Sequence, residues 1–244
     1  MSKEEIVGTV AELWRYPVKS MQGEQLSEAH IYWHGLDGDR RYAFVQSGNH
    51  SSFPWLTGRQ IPELVQYKPQ YTSDNVIHGA LSVTTPSGDE YDIKDDELRE
   101  ELAAAFGKAI HLMQLNRGVF DDMSISLMSN GTVRGLSEMF GAPLDKRRFR
   151  QNIIIDTDAY GPFQEEQWLG KTLVFGRRED SPRITMTQRI PRCQMINIDP
   201  DTAERDGRVL KGVVATRDQC VGMHAWPVKI GSVHVGDEIR LIEE

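Results

Sequence analysis

A chain of 244 residues with 39% hydrophobic and 26% charged content holds enough apolar material for one large domain or two smaller ones, and is neither disordered nor fibrous. Its 28 Lys and Arg against 36 Asp and Glu leave a net charge of −8, which excludes broad binding of a nucleic-acid backbone by the whole molecule. No apolar run reaches membrane-spanning length, and the acidic start MSKEEIVG lacks the basic-then-apolar order of a signal peptide. A cytoplasmic monomer that touches neither membrane nor nucleic acid is the expectation.

Taken in chain order, most of the sequence is short β-prone runs between turn residues. The stretch AHIYWHGLDGDRRYAFVQ predicts a hairpin, two aromatic and aliphatic runs flanking a Gly- and Asp-rich turn. Further strands are predicted at ELVQYKPQYT, ALSVTTPSGDEYDI, RRFRQNIIIDT, KTLVFGRR, RITMTQRI, CQMINIDP and DEIRLIEE.

Helical period is clear at DDELREELAAAFG, where Leu98, Leu102, Ala105 and Phe106 share a face and Gly107 stops the helix, and weaker at SNGTVRGLSEMFG. The fold class is therefore mainly β with a few helices. Numerous short strands without regular strand–helix alternation favour barrels over a doubly wound sheet. The helix ending near Gly107 divides an N-terminal β region, residues 1–114, from a C-terminal one, residues 115–244. No Gly/Ser-rich linker separates them, so the two are expected to pack closely.

Three clusters combine Lys or Arg with hydrogen-bonding side chains: YPVKSM at Tyr16–Met21, GDRRY at Gly38–Tyr42 and KRRFRQN at Lys146–Asn152. Guanidinium and ammonium groups beside hydroxyls and amides suit an anionic, phosphate-bearing ligand, although each cluster taken alone reads first as a solvated strand end. The two cysteines, Cys193 and Cys220, are not expected to form a disulfide in a reducing compartment. Cys220 and His224 have the spacing of half a zinc site, but no second half accompanies them. Phosphate-cradling loops, dinucleotide fingerprints and nucleophile elbows are missing, and two cysteines cannot hold an ordinary iron–sulfur cluster. Electrons for any redox reaction must come from another protein.

These elements together resemble the MOSC superfamily, named for the C-terminal domain of molybdenum cofactor sulfurase, in the layout where an N-terminal β-barrel MOSC domain precedes the MOSC domain proper. That layout is shared by the amidoxime-reducing components and their bacterial relatives. The resemblance is carried by YPVKSMQG, GLDGDRRYAFV, LTGRQIPELV, FDDMSISLMS, RRFRQNIII, PRCQMINIDPDT and GSVHVGDEIRL, in that order along nearly the whole chain. It implies a β-barrel MOSC domain packed on an N-terminal β-barrel-like domain, and a molybdenum cofactor (molybdenum on molybdopterin) bound between them.

In the residues that match, Cys193 is similar to the protein ligand of the metal, a role that suits a soft anionic thiolate, with Arg192 beside it favouring the anion. Lys19, Ser20, Arg40, Arg150 and Asn152 are similar to residues that hold the phosphate and pterin, and Asp121 to an acidic residue near the metal. The chain departs from the family at Met123, Ser124, Gln151 and His224, the last standing where relatives commonly have tyrosine. His224 and Asp121 are then candidates for proton delivery. Cys220 has no such match and is expected to be a buried structural thiol.

The activity implied is reduction of N-hydroxylated compounds such as amidoximes or hydroxylaminopurines, with an external flavin or iron–sulfur reductase as electron donor. The alternative is a module that carries the cofactor, or carries sulfur as a Cys193 persulfide, without turnover.

Overall fold

The computed structural model describes residues 3–73, 76, 79–116, 119–120, 124–157 and 160–243. The N-terminal strands are β1 (Lys3–Arg15), β2 (Glu24–Leu26), β3 (Glu28–Tyr32), β4 (Gly35–Leu36), β5 (Tyr42–Gln46), β6 (Lys68–Tyr71), β7 (Leu81–Thr84) and β8 (Glu90–Asp92). Helix α1 (Asp96–Phe106) and β9 (Ile110–Gln114) follow, then β10 (Ile125–Ser129), α2 (Asn130–Phe140), β11 (Ile153–Asp156) and β12 (Thr172–Phe175). The chain continues through β13 (Arg183–Pro191), α3 (Gly207–Arg217), β14 (Cys220–Lys229), β15 (Gly231–His234) and β16 (Glu238–Glu243).

Seven strands close into a barrel in the order β1-β11-β10-β14-β13-β12-β16 and back to β1. Neighbours are antiparallel except β10 and β11. The expected mainly β fold with a barrel is present, and its closing strand is the first of the chain: β1 meets β16 through Lys3–Thr9 and β11 through Thr9–Leu13. Gly8 permits this change of partner, because a Cβ there would lie 2.1 Å from the Asp156 carbonyl oxygen. Val10, Leu13, Leu127, Ile153, Phe175 and Met223 are among the apolar side chains filling the barrel.

The outer wall is covered in part by α2 and α3, which pack on Met128, Ile154 and Val221. Strand alternation would place Val221 inside with Met223. Gly222, left-handed at φ +74, interrupts that alternation and turns Val221 outward.

The N-terminal region folds as a β5–β9 pair and a β6-β7-β8 meander around Phe44, Leu64, Val83, Leu98, Leu102 and Ile110. Helix α1 forms where periodicity predicts it. It starts at Asp96 and ends on left-handed Gly107, a conformation that costs glycine no Cβ clash. Ala105 is exposed, and Ala103 takes the packing position instead. A small cluster of Val65, Ile198, Ala203 and Met195 seals the two regions together.

Three expectations are corrected. The runs around Ile31 and Phe44 do not pair with each other: β3 turns tightly into β4 and is also paired by β15, while β5 leaves to pair with β9. CQMINIDP is a 3₁₀ turn over Gln194–Asn197 rather than a strand, and ELVQ likewise coils before β6. Helix α3 was not predicted, since Gly207, Gly212, Val209, Val213 and Thr216 weaken the helical signal locally. Its formation follows from burying Val209 and Val213 on the barrel, a case of tertiary packing outweighing propensity.

Candidate functional site

Two loops of the N-terminal region build one wall of a cleft. The Tyr16 backbone N–H donates to the Asp39 carboxylate at 2.7 Å, and the Arg40 N–H returns to the Tyr16 carbonyl at 2.7 Å. These cross-links stack YPVKSM on GDRRY. The third basic cluster then closes onto them: Arg40 Nη2 donates to the Arg150 carbonyl at 2.9 Å, and Arg150 Nη1 to the Met21 carbonyl at 2.5 Å. Both guanidinium groups lie over the Tyr16 ring, 5.0 and 4.3 Å from its centre. Burial pushes the Tyr16 phenol up to about 12 against the opposing pull of Arg150 and Arg40, so the ring between the two cations stays neutral.

Ser20, Arg40 and Arg150 each adopt a left-handed backbone, at φ 68, 45 and 51. Such conformations cost non-glycine residues of order 1–3 kcal/mol each and concentrate at functional sites, where surrounding contacts enforce them. All three line the same cleft, with a free volume of about 220 Å³.

Its other wall comes from the C-terminal region. Cys193 lies at the head of the Gln194–Asn197 turn, half-buried and unpaired. The Arg192 preceding it is only 8% exposed, and its guanidinium donates to the Val221 carbonyl twice, at 2.8 and 2.6 Å, and to the Phe149 carbonyl at 2.9 Å. Gln219 Nε2 donates to the Arg192 carbonyl, while the Arg192 N–H donates to the Gln219 carbonyl. These bonds fix the thiol-bearing turn to β14 and to the Phe149–Arg150 bend. His224 projects outward from β14 into the cleft, opposite Ser126 on β10.

Six cationic side chains line the cleft, Lys19, Arg40, Arg59, Arg148, Arg150 and Arg192, and no carboxylate does so among the described residues. In a chain of net charge −8 this is a strong local inversion, suited to an oxyanion. Lys19 Nζ reaches the Phe120 carbonyl at 2.6 Å. Arg148 is held by Asp199 at 2.7 Å. Burial pushes the Asp199 carboxyl up, but N–H groups of Thr202 and Asp201 and the Arg148 charge outweigh it and hold it below the usual range.

Of the residues singled out in the sequence, Lys19, Ser20, Arg40, Arg150, Arg192, Cys193 and His224 converge here. Asn152 sits behind the wall, 1% exposed: its Oδ1 accepts from Ser126 N and Oγ at 3.1 and 2.9 Å and from Arg40 at 3.4 Å. Asp121 and Met123 lie outside the described residues. Cys220 heads β14 half-buried rather than buried, because the strand emerges there from α3 at the molecular surface. The sequence reading missed Phe53, Thr57, Arg59, Ser126 and Arg148. Arg59 stood within LTGRQIPELV, Arg148 within KRRFRQN and Ser126 within FDDMSISLMS, and the place of Ser126 in the cleft follows from its register opposite His224.

Fold and cleft together define a class: a β-barrel protein whose outer face joins a smaller β region around a thiol and a set of cations. A model of the MOSC domain matches residues 81–240, and one of the MOSC N-terminal beta barrel domain matches residues 7–113. The chain belongs to the MOSC domain family. It is 25% identical to mitochondrial amidoxime reducing component 2 of Homo sapiens, with 96% of this chain and 83% of that protein aligned, and 24% identical to the Bos taurus protein of the same name over 96% and 83%. The YuaD protein of Bacillus subtilis shares the fold at a TM-score of 0.52, with 13% identity over the whole of both chains. None of the described helices is long and apolar enough to cross a membrane.

Proposed function

We propose that the protein binds a molybdenum cofactor in this cleft and reduces N-hydroxylated compounds such as amidoximes and hydroxylaminopurines with electrons from an external flavin or iron–sulfur reductase. One observation carries the reading: a half-buried thiol, Cys193, faces a cleft that among the described residues is lined by six cations, three left-handed backbone residues and no carboxylate. The name of the relatives, amidoxime reducing component, supports the same choice. The donor set fits the group, since a thiolate suits a soft transition metal and guanidinium, ammonium and hydroxyl donors suit a phosphate.

Cys193 would hold the metal, and Lys19, Ser20, Arg40 and Arg150 the phosphate and pterin. Arg192 and Asn152 act one layer out, fixing the Cys193 turn and the Arg40–Ser126 wall. When bound, the cofactor supplies two-electron removal of oxygen from nitrogen. The overall change, R–NHOH plus two electrons and two protons to R–NH2 and water, needs protons at the departing oxygen. His224, facing the cleft, is placed to deliver one there.

Metal analysis of purified protein with and without Cys193→Ala tests the ligand. Molybdenum is expected in the parent and lost in the variant, and equal content in both would remove the assignment. Benzamidoxime turnover with a chemical electron donor tests the reaction, and molybdenum-loaded protein without turnover would overturn it. A sulfane adduct on Cys193 in protein lacking molybdenum would instead establish the carrier alternative.

A further inference from the structure

We infer that Arg59 at the mouth of the cleft selects substrates that carry a carboxylate. The inference takes its reaction from the proposed reductase function and adds the substrate class.

The cations deeper in the cleft are engaged by the protein itself: Arg40 by Asp39 at 2.5 Å, Arg148 by Asp199 at 2.7 Å, Arg192 by the Val221 and Phe149 carbonyls. Arg59 differs from them. Its side chain is exposed, and among the described residues its guanidinium meets only the Phe53 ring, 5.1 Å from the centre. Lys19 Nζ lies 6.0 Å from the centre of that same ring. Two positive charges thus flank one partly exposed aromatic ring at the cleft entrance, and among the described residues no acidic side chain lines the cleft.

The base of Arg59 is held firmly although its head is free. Arg205 Nη2 donates to the Gly58 and Arg59 carbonyls at 3.2 and 2.8 Å. Thr57 Oγ1 receives the Arg59 N–H at 3.3 Å and donates to Gln60 Oε1 at 2.8 Å. Gly58 lies so close to the second wall that a Cβ would come within 2.8 Å of Ile198 and 2.9 Å of the Met195 sulfur. The loop from the N-terminal region is therefore pinned to the loop following Cys193. A guanidinium stacked on an aromatic ring keeps its fork of donors available for bidentate pairing with a carboxylate. A substrate entering with its N-hydroxyl group toward Cys193 would leave a carboxylate at its other end against Arg59.

The test compares benzamidoxime with 4-carboxybenzamidoxime on molybdenum-loaded protein, in the parent, Arg59→Gln and Arg59→Lys, with turnover, calorimetric binding and metal content all measured. The parent is expected to show a KM about fivefold to tenfold lower for the carboxylated compound, as for a charge-assisted contact at a partly screened site. That ratio should shrink as salt rises, fall to about one in Arg59→Gln, and survive in part in Arg59→Lys. Equal KM values in the parent would overturn the inference. So would a ratio unchanged in Arg59→Gln, or a loss of molybdenum in that variant, which would make Arg59 a holder of the cofactor. If neither compound is turned over, the reductase reading fails separately and the binding arm still decides: tighter binding of the carboxylated compound that Arg59→Gln abolishes upholds the selectivity, and equal binding refutes it.

Discussion

Strands β10 and β14 have two faces that differ in kind although their residues alternate one by one. Inward, Ile125, Leu127, Met223 and Ala225 are completely buried in the barrel. Outward on the same backbone, Ser126 and His224 face each other in the cationic cleft, and two residues beyond His224, Trp226 is half exposed to solvent. The inner face supplies stability that does not depend on which apolar side chain is present so long as volume is kept. The outer face supplies chemistry, and its groups are useful only because the inner face holds their spacing fixed.

The contrast is broken most severely from inside. Leu127→Ala should destabilise the protein by about 2–5 kcal/mol through lost burial and the cavity left behind, read as a lower denaturant midpoint, while the metal content of the protein that remains folded, under the proposed function, should match the parent's. Arg192→Met breaks it from outside. The Val221 and Phe149 carbonyls lose their donors, which should cost about 2 kcal/mol, and here metal content should fall with the release of the Cys193 turn, a readout that Leu127→Ala leaves in place.

The end of β10 sharpens the comparison, because there a carboxyl group lies inside. Glu165 is fully buried and accepts from Ser129 N and Oγ at 3.2 and 2.9 Å. Burial raises its carboxyl above the ordinary range, opposed by hydrogen bonds from Thr132 and Ser129. A raised folded-state value means that the folded protein keeps this proton after the unfolded chain has released it. The contribution to stability is thus greatest below the ordinary carboxylate range and declines as pH rises through that range toward the raised value. Subtracting the stability profile of Glu165→Gln from that of the parent should isolate this decline, and a difference that instead grows with pH would contradict it. At the far end of the scale, Trp226→Ser, on the solvated stretch of β14, should change stability by less than about 0.5 kcal/mol and leave metal content unchanged.

Much of this was legible in the sequence. Helix α1 was written in the spacing of Leu98 and Leu102 and in its Gly107 stop, and the mainly β class in the density of short runs. The basic clusters and Cys193 were visible as residue types. Helix α3 was not, since its valines and glycines argue locally against it. The predicted hairpin between the Ile31 and Phe44 runs failed for a related reason: turn residues announce that the chain turns, without saying which strand it will meet.

By itself, then, the sequence determined which segments extend or coil, where the cations and the thiol lie along the chain, and which family pattern they match, because propensity, turn chemistry and charge are properties of neighbours. Only the tertiary structure decided that β1 closes the barrel, that Lys19 reaches a carbonyl 101 residues away, and that Arg59 stands at the mouth of a cleft whose thiol comes from the other region. Strand pairing and left-handed bends at Ser20, Arg40 and Arg150 are enforced by distant contacts, and a site assembled across such distances has no signature in any single stretch of chain.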